Sequence, residues 1–439
     1  MPTQPEKPPR RLRVAVAGLG TVGRAVIRLL QDDRARLHRQ IGTELDLTTV
    51  FDRSHKTKDV SWLPSTTRLT DSVEEFLASP ADIVVELIGG EQPADRIIKE
   101  GLSQKRAVVT ANKQLMAAHG ASYLELAEKN RAYLGFEASV AGGIPILRTL
   151  RRSLLADRIV SIRGILNGTC NFILSEMAES RRGQAEVLAQ AQALGFAEAD
   201  PMLDVSGRDT ADKLVILVAL AFGHWARPDQ LMMRGITEID PVDFLYAKRL
   251  GATIRMLGVA QSSDGHVSMW VSPCLVDEHL TLSKISGVVN AVEITGARLG
   301  PTLFSGPGAG GDPTAVSVVG DIMNAARWWQ GETVFTAPRV DDRTANQGGD
   351  YGPRDRLPFY LRFLVEDRPG IIARLAHILA SHEINIDSVL QESWTERQRL
   401  PFVISVDPTL HATIEMAVAE MNSLDFVLAP PVVLPILRN

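Results

Sequence analysis

A glycine-rich turn near the start of the chain constrains its fold more than any other feature. Apolar residues alternate over residues 12–17 as in a β-strand, and a helical pattern of apolar residues follows the turn. Between them, Gly18, Gly20 and Gly23 form a GxGxxG pattern. Glycines at this spacing permit a tight turn, close approach of a pyrophosphate and close helix–strand packing, while the helix N-terminus faces the phosphates. Because the motif lies between a strand and a helix, it predicts a dinucleotide-binding start.

The second predicted strand, LDLTTVF (45–51), ends at Asp52 and Arg53. An acidic residue at this point binds the ribose hydroxyls of NAD, whereas Arg53 or Lys56 is able to hold the 2′-phosphate of NADP. The residues support both cofactors, so the choice between NAD and NADP stays open.

Further strands are predicted at ADIVVELIGG (81–90), at residues 107–110 and at AYLGFEASVAGGIPIL (132–147). Strands that are separated by helical patterns predict a parallel, doubly wound α/β sheet. Ligands of such sheets bind beyond the C-terminal strand ends. Lys113, Glu137 and the Gly142–Gly143 pair lie at such ends, which makes them candidate site residues.

An acidic segment at residues 195–214 precedes the apolar run LVILVALAF (214–222). The acidic part contains a proline and has no helical period, which predicts a loop. The apolar run predicts a buried helix that starts near residues 206–210. Asp209 and Lys213 are then one turn apart on one helical face, with the acid on the N-terminal side.

The patterns predict an α/β Rossmann-type nucleotide domain, an α+β catalytic and dimerisation domain, and a ferredoxin-like βαββαβ domain at the C-terminus. The glycine-rich stretch at 304–311 precedes another apolar helix, which we expect to complete the first domain. The expected segments are a disordered tail (1–11), a nucleotide-binding domain (12–137, completed by 305–330), a substrate-binding domain (138–304), a linker (331–357) and the C-terminal domain (358–439).

The net charge, the cysteine content and the lengths of the apolar runs exclude several classes of protein. The net charge of −5 and the pI near 6.0 argue against nucleic-acid binding. Cys170 and Cys274 are the only cysteines in the sequence, which excludes a disulfide framework. Without a signal-like start or an apolar run of about 18 residues, the chain is expected to be cytoplasmic and not to bind membranes.

Several motifs occur together in one order: GLGTVG, VVELIGG, TANK, FEASVAGGIPI, LNGTCN, EADPMLDVSGRDTADK and GPGAGG. In this combination the chain resembles the homoserine dehydrogenase family from about residue 12 onwards. The C-terminal domain resembles an ACT domain, an amino-acid-binding regulatory module. The resemblance implies interconversion of L-homoserine and L-aspartate 4-semialdehyde with NAD or NADP, in threonine, methionine and isoleucine biosynthesis, under feedback regulation.

The resemblance also assigns roles to individual residues. The implied catalytic residues are Lys213, as acid/base at the reacting oxygen, with Asp209 and Lys113. The implied substrate-binding carboxylates are Glu198, Asp204 and Asp209. The implied cofactor-binding residues are Gly18, Gly20, Thr21, Val22, Gly23, Asp52, Arg53, Lys113, Gly195 and Gly308. A structural sodium ion is implied at Glu137 and the backbone oxygens of Val140, Gly142 and Ile144.

General chemistry agrees with this assignment. Reduction of an aldehyde needs a hydride donor and a proton donor, and a lysine, whose ordinary pKa is about 10.4, is protonated at neutral pH. Carboxylates such as Glu198 suit the ammonium group of an amino-acid substrate. Cys170 departs from the family, which often has threonine after NGT.

Two alternative functions stand beside this assignment. The first is another NAD(P)-dependent dehydrogenase of an aspartate-derived substrate; an acyl-enzyme mechanism would need a reactive thiol, for which Cys170 is the one candidate near the motifs. The second is a non-catalytic dinucleotide or amino-acid sensor. The presence of Lys113, Asp209 and Lys213 argues against that sensor.

The C-terminal domain suggests an effector. The DRPG turn (367–370) lies at a strand-to-helix junction, where N–H groups are able to receive a carboxylate, and Asn385 offers an amide. The expected effector is threonine. The expected assembly is a homo-oligomer, either a dimer or a tetramer.

Overall fold

The structure, a computed structural model, describes residues 11–263, 265–332, 351–392 and 399–438. They form two compact units: the first takes in residues up to 160, 212–228 and 294–332, and the second takes in the rest. The strands are β1 (Arg11–Ala17), β2 (Glu44–Phe51), β3 (Arg68–Thr70), β4 (Ile83–Glu86), β5 (Ala107–Thr110), β6 (Leu134–Gly135), β7 (Ile159–Ile165), β8 (Met232–Met233), β9 (Ala252–Ser263), β10 (His266–Asp277), β11 (Val289–Gly296), β12 (Gly300–Pro307), β13 (Arg356–Val365), β14 (Ile386–Leu390), β15 (Leu400–Leu410) and β16 (Val427–Leu437).

The helices are α1 (Thr21–Asp32), α2 (Arg34–Ile41), α3 (Val73–Ala78), α4 (Ala94–Ser103), α5 (Lys113–Asn130), α6 (Ile146–Arg148), α7 (Gly168–Ser180), α8 (Gln184–Ala193), α9 (Met202–Val205), α10 (Arg208–Phe222), α11 (Pro241–Arg249), α12 (Gly311–Trp329), α13 (Ile371–Ser381) and α14 (His411–Asn422). Within the described residues, no helix is both long and apolar enough to cross a bilayer.

The first unit contains a parallel sheet with the order β3-β2-β1-β4-β5-β6. The order reverses between β1 and β4, which is where a doubly wound sheet binds its ligand. Val14 and Val16 of β1 are fully buried and share one core with Val318 and Ile322 of α12. The helix after the second glycine-rich stretch therefore covers this sheet.

Two local details differ from the sequence-based expectations in the first unit. The strand expected within 132–147 is only Leu134–Gly135, because the chain turns into a 3₁₀ helix at Glu137–Ser139. A side chain at Gly135 would lie 2.8 Å from Cβ of Asp321, so the chain runs close to α12 there. Arg11, the last residue of the expected disordered tail (1–11), begins β1, and residues 1–10 lie outside the described residues.

The second unit contains a mixed sheet in which the strands β11-β7-β9-β10 lead into β16-β13-β15-β14, with β8 beside β10. The long pair β9–β10 is antiparallel, and α7 and α11 pack on β9. α10 begins in the second unit, and residues 214–220 of its apolar run, which belong to the first unit, are buried as predicted. The acidic segment before it is not entirely a loop, because Met202–Val205 forms the short helix α9.

The C-terminal segment has the predicted βαββαβ order, β13-α13-β14-β15-α14-β16, around its own apolar core. Its sheet continues that of the preceding domain, because β16 pairs in parallel with β10 at Leu275–Ile436 and Val276–Leu437. Its first strand begins at Arg356, inside the expected linker. Tyr351 is buried, and its carbonyl accepts the Met269 N–H. Residues 333–350 of the expected linker lie outside the described residues.

Candidate active site

The three motif glycines have three different environments at the end of β1. Gly18 has φ +110°, and a Cβ there would lie 2.6 Å from the carbonyl oxygen of Leu87. A Cβ at Gly23 would lie 2.0 Å from the carbonyl oxygen of Gly18. At Gly20, the residue before α1, a Cβ would meet nothing within 4 Å. This turn therefore has open space at its centre and the N-terminus of α1 beside it, which fits the pyrophosphate of a dinucleotide.

A second glycine-rich loop reaches the same place within the first unit. Gly310 precedes α12, and a Cβ at Gly311 would lie 3.3 Å from Thr21 at the start of α1. A Cβ at Gly142 would lie 2.5 Å from the carbonyl oxygen of Gly308. The structure thus brings the expected cofactor residue Gly308 and the bend at Gly142 together, close to the first motif.

Asp52 lies at the end of β2, where the sequence places it, and it is engaged with protein groups. Its carboxylate accepts the Leu19 N–H at 2.9 Å and an ion-paired hydrogen bond from Lys58 Nζ at 2.7 Å. Burial opposes ionisation of Asp52, but hydrogen bonds from Lys58, Leu19 and Ser54 outweigh it and lower its pKa to about 2. Lys58 also donates to the carbonyl of Leu19. Lys58, which lies six residues beyond Asp52, was not assigned a role from the sequence.

Lys113 begins α5, just past β5, and buried polar groups position that helix start. Asn112 caps α5 by accepting the Leu115 N–H, and its amide donates to the Gly90 carbonyl at 2.7 Å. Asn112 donates its own N–H to Thr110 Oγ1, which donates to Glu86 Oε2 at 2.5 Å.

Glu86 is fully buried at the end of β4, where it also accepts the Ile88 N–H. Burial raises the pKa of this carboxyl against the effect of those hydrogen bonds. Glu86 was not assigned a role from the sequence, although it is the one acid inside the apolar run IVVELI (83–88).

Two acids of the acidic segment meet at one side chain of the second unit. Asn167 Nδ2 donates to Asp204 Oδ1 at 2.7 Å and to Asp209 Oδ2 at 2.8 Å. Cys170 is buried, and its Sγ donates to the carbonyl of Asp204 at 3.2 Å. A buried thiol held by a backbone carbonyl does not suit the nucleophile of an acyl-enzyme mechanism. Asn167 belongs to the LNGTCN motif but was not assigned a role from the sequence.

Asp209 and Lys213 lie one turn apart on α10, and they are only 5% and 8% exposed. This burial distinguishes them from an ordinary surface pair at a helix start. By contrast, Gly195 and Glu198 lie in an exposed segment after α8, and the structure does not bury the Glu198 carboxylate. The Glu198 carbonyl accepts from the Gln192 side chain.

The bend at Glu137 was expected to hold sodium. The Glu137 carboxylate accepts the backbone N–H groups of Leu147 and Arg148 of α6 at 2.9 and 2.8 Å. Burial, followed by the nearby Asp321, raises its pKa to about 7 against the opposing charge of Arg148. The carboxylate and carbonyl oxygens keep further lone pairs, so this donor set still fits a hard cation. Among the described residues, no group of three or more His, Cys, Asp or Glu side chains is arranged to hold a metal ion.

Three protein-family models match the chain: the homoserine dehydrogenase NAD binding domain at residues 18–137, homoserine dehydrogenase at 145–323 and the ACT domain at 359–423. The homoserine dehydrogenase of Neisseria gonorrhoeae is 37% identical over 422 residues, which cover 95% of this chain and 97% of that protein.

Solved structures give the same family. A homoserine dehydrogenase from Thiobacillus denitrificans is 33% identical with a TM-score of 0.89, over 98% of this chain and 99% of that one. A hyperthermophilic archaeal homoserine dehydrogenase in complex with NADPH is 27% identical with a TM-score of 0.62, over 72% of this chain and 98% of that one.

The comparisons and the sheet topologies confirm the predicted fold class: a Rossmann-type nucleotide domain, a mixed α+β catalytic domain and a C-terminal ACT domain. Relatives that are more than 30% identical extend over nearly the whole chain. The chain therefore belongs to the homoserine dehydrogenase family, which makes it an oxidoreductase with a nicotinamide-dinucleotide-binding domain.

Proposed function

We propose that this chain interconverts L-homoserine and L-aspartate 4-semialdehyde, with Lys213 exchanging the proton at the substrate oxygen. A bound nicotinamide supplies or accepts the hydride. The observation that carries the proposal is that Asp209 and Lys213 are both buried one turn apart on α10, and that Asp209 accepts a hydrogen bond from Asn167. An ammonium is an effective general acid in the reducing direction, and the neutral amine accepts the proton in reverse.

The remaining residues bind and orient the substrate. The homoserine ammonium calls for carboxylates, and Glu198 and Asp204 supply them by charge-assisted hydrogen bonds. Lys113, at the C-terminal end of β5, lies at the ligand edge of the nucleotide-binding sheet. In this assignment Lys113 acts near both nicotinamide and substrate.

Replacement of Lys213 tests the proposal. Lys213→Ala should lower kcat by roughly 10²- to 10⁴-fold, the usual contribution of a general acid or base, while the affinity for the dinucleotide is kept. The measurement is reduced-nicotinamide absorbance with homoserine as substrate, next to cofactor binding by fluorescence. Lys129→Ala, an exposed lysine of the first unit, is the matched control. Wild-type turnover in Lys213→Ala would rule out this role.

The surroundings of Asp52 favour NADP as the preferred cofactor. Its carboxylate is already neutralised by Lys58, while Arg53 is exposed beside it. Lys56 is drawn to Asp71 in an exposed pair. Arg53→Gln should therefore lower kcat/KM for NADPH more than for NADH, and the exposed Arg39→Gln should change neither. An equal effect of Arg53→Gln on both cofactors would contradict the preference.

A sodium ion is proposed at Glu137 and the carbonyl oxygens of Val140, Gly142 and Ile144. The support is the bend itself: Ala141 and Gly142 are consecutive residues with φ +54° and +49°. A non-glycine residue in this region is uncommon and persists where its surroundings fix it. Sodium chloride should raise the melting temperature more than choline chloride at equal ionic strength. Identical melting curves in the two salts would count against the ion.

The ACT domain carries a cavity that suits an amino-acid effector. Its volume is about 290 Å³, and it is lined by Val365, Asp367, Arg368, Gly370, Ile371, Ile372, Ala373, Gln391, Leu400 and Phe402. Gly370, with φ +91°, precedes α13, whose free N–H groups are able to receive a carboxylate. Asn385 is exposed and does not line this cavity. The proposed occupant is threonine, an end product of the homoserine pathway, acting as a feedback inhibitor.

The proposed function also includes a division into domains and an assembly into a homo-oligomer. The nucleotide-binding domain covers 12–137 with 305–330, the substrate-binding and dimerisation domain 138–304, and the ACT domain starts at about 356. A homo-oligomer, dimer or tetramer, is expected, since exposed apolar side chains occur on β14 and α14, at Val389 and Met416. Light scattering after size-exclusion chromatography measures the assembly.

A further inference from the structure

Asn167 makes three hydrogen bonds that determine which way its amide points. It precedes α7 and caps that helix, since Oδ1 accepts the Cys170 N–H at 2.7 Å. A backbone N–H only donates, so the oxygen must face the helix and the NH₂ group must face away from it. The side chain is 4% exposed, and its orientation is therefore not averaged by solvent.

The NH₂ group faces two carboxylates. One N–H goes to Asp204 of α9 and the other to Asp209 of α10, at 2.7 and 2.8 Å. Two carboxylates that share one site repel each other, and this repulsion raises the pKa of one of them. Hydrogen bonds donated to the ionised forms have the opposite effect. A neutral amide with two donors holds both acids in place without adding a charge of its own.

From this geometry we infer that Asn167 is a positioning residue for the reaction, a role that rests on the proposed function of Asp204, Asp209 and Lys213. By its two donated hydrogen bonds Asn167 holds both carboxylates in fixed positions, and so orients the acids that the proposed function assigns to the substrate ammonium and the proton-exchanging lysine. Asn167 itself touches no reacting atom. The charged and titratable groups on the helices that carry these contacts are Cys170, Glu176 and Glu179 on α7, Asp204 on α9, and Arg208, Asp209, Asp212 and Lys213 on α10.

Substitutions separate the two roles of Asn167, which caps α7 and donates hydrogen bonds to two carboxylates. Asparagine, aspartate and serine are similarly good N-caps. Asn167→Asp therefore keeps the cap and the side-chain shape, but it adds a third carboxylate whose oxygen faces Asp204 and Asp209. Asn167→Ser keeps the cap and adds no charge, but it is too short to serve both acids.

The test uses the full-length enzyme with both variants. Melting temperatures should stay near that of the wild type for Asn167→Ser. The kcat should fall about 10- to 100-fold, the equivalent of one or two charge-assisted hydrogen bonds. The acid limb of the kcat/KM pH profile should move up by about one pH unit, and further for Asn167→Asp, because less stabilised carboxylates take up protons at higher pH. Ser72→Ala, which removes the cap of α3, should leave the profile unchanged.

A folded Asn167→Ser enzyme with wild-type kcat and an unmoved acid limb would overturn the inference and leave Asn167 as a helix cap. If Asn167→Asp fails to fold, Asn167→Ser still decides the matter. Turnover that persists in Lys213→Ala would instead overturn the proposed function. An inactive Lys213→Ala enzyme beside an unmoved Asn167 profile would overturn the positioning role alone.

Discussion

At the scale of single residues, burial and partners separate side chains that look alike in the sequence. Asp204 and Glu198 both belong to the acidic segment, but only Asp204 receives a hydrogen bond from Asn167. Asp52 and Lys113 could be found from the sequence because they closely follow strands of a recognisable sheet. Asn167 could not be assigned, because its partners lie 37 and 42 residues further along the chain.

Two glycines of the first motif should respond differently to the same substitution. Gly20→Ala places its methyl group in open space, so the fold should keep its melting temperature, while the KM for the dinucleotide should rise at least about tenfold. Gly23→Ala places its methyl group against the Gly18 carbonyl and should destabilise the first unit by about 1–3 kcal/mol. Thermal melts and cofactor titrations measure the two effects. Equal loss of stability in both variants would contradict this division of roles.

The Asp52–Lys58 pair should make stability depend on pH in a defined direction. The folded-state pKa of Asp52, about 2, lies below its unfolded value, so its contribution is present above about pH 4 and disappears as the pH falls toward 2. Asp52→Asn should lower the free energy of unfolding by about 2 kcal/mol at pH 7 and by much less near pH 2. Urea unfolding at both pH values measures this, with the exposed Asp32→Asn as control. A pH-independent difference would disprove the assignment.

At the scale of elements, long and strongly patterned segments were predictable and short or long-range ones were not. β1, α1 and the apolar part of α10 occur where the periodicity places them. The three-residue strand β3 and the four-residue helix α9 are too short to show a period. The β10–β16 pairing joins residues about 160 positions apart through two residue pairs, so no local pattern reports it.

Because β16 of the ACT domain pairs with β10, removal of the ACT domain would also disturb the preceding domain. Truncation near Gly352 would expose the edge of β10 and remove the two ACT-domain side chains that bind Asp243. Asp243 is fully buried, and it accepts hydrogen bonds from Tyr360 Oη and Arg362 Nε, both at 2.7 Å. Burial raises the pKa of Asp243, and the charge of Arg362 opposes that rise. Point variants therefore probe this junction better than truncation does.

Arg362→Leu should destabilise the second unit by about 3 kcal/mol, since it leaves a buried carboxylate without its cation. The double variant Asp243→Asn with Arg362→Leu should recover part of that loss, because the uncompensated charge is gone. Arg356→Leu, an exposed position on the same strand, should change little. Chemical denaturation of these proteins and of the single Asp243→Asn variant measures the differences. Additive losses in the double variant would show that the two side chains are not coupled.

At the scale of the whole molecule, the ACT-domain cavity adjoins contacts that lead through the second unit toward the helix that Asn167 caps. Leu400 and Phe402 line the cavity, and the Pro401 carbonyl between them accepts a hydrogen bond from Tyr246 Oη of α11 at 3.0 Å. Tyr246 Oη in turn accepts the Glu392 N–H, next to the lining residue Gln391. α11 packs against α7, the helix that Asn167 caps. An effector acts through such contacts only if it binds two states of the molecule differently.

Tyr246→Phe removes the hydroxyl and keeps the buried ring, so it should loosen this link without emptying the cavity. Threonine should still bind, with a heat measurable by calorimetry. The factor by which saturating threonine lowers the rate should be about 2- to 30-fold smaller than in the wild type, the usual range for coupling residues. Tyr123→Phe, which removes a hydroxyl bonded to Asp95 in the first unit, controls for the loss of one hydrogen bond and should leave inhibition unchanged. Full inhibition of Tyr246→Phe at the wild-type threonine concentration would exclude this route. A wild-type enzyme that shows neither binding heat nor inhibition across millimolar threonine would exclude threonine as the effector, because the cavity would then serve another ligand or only the packing of the domain.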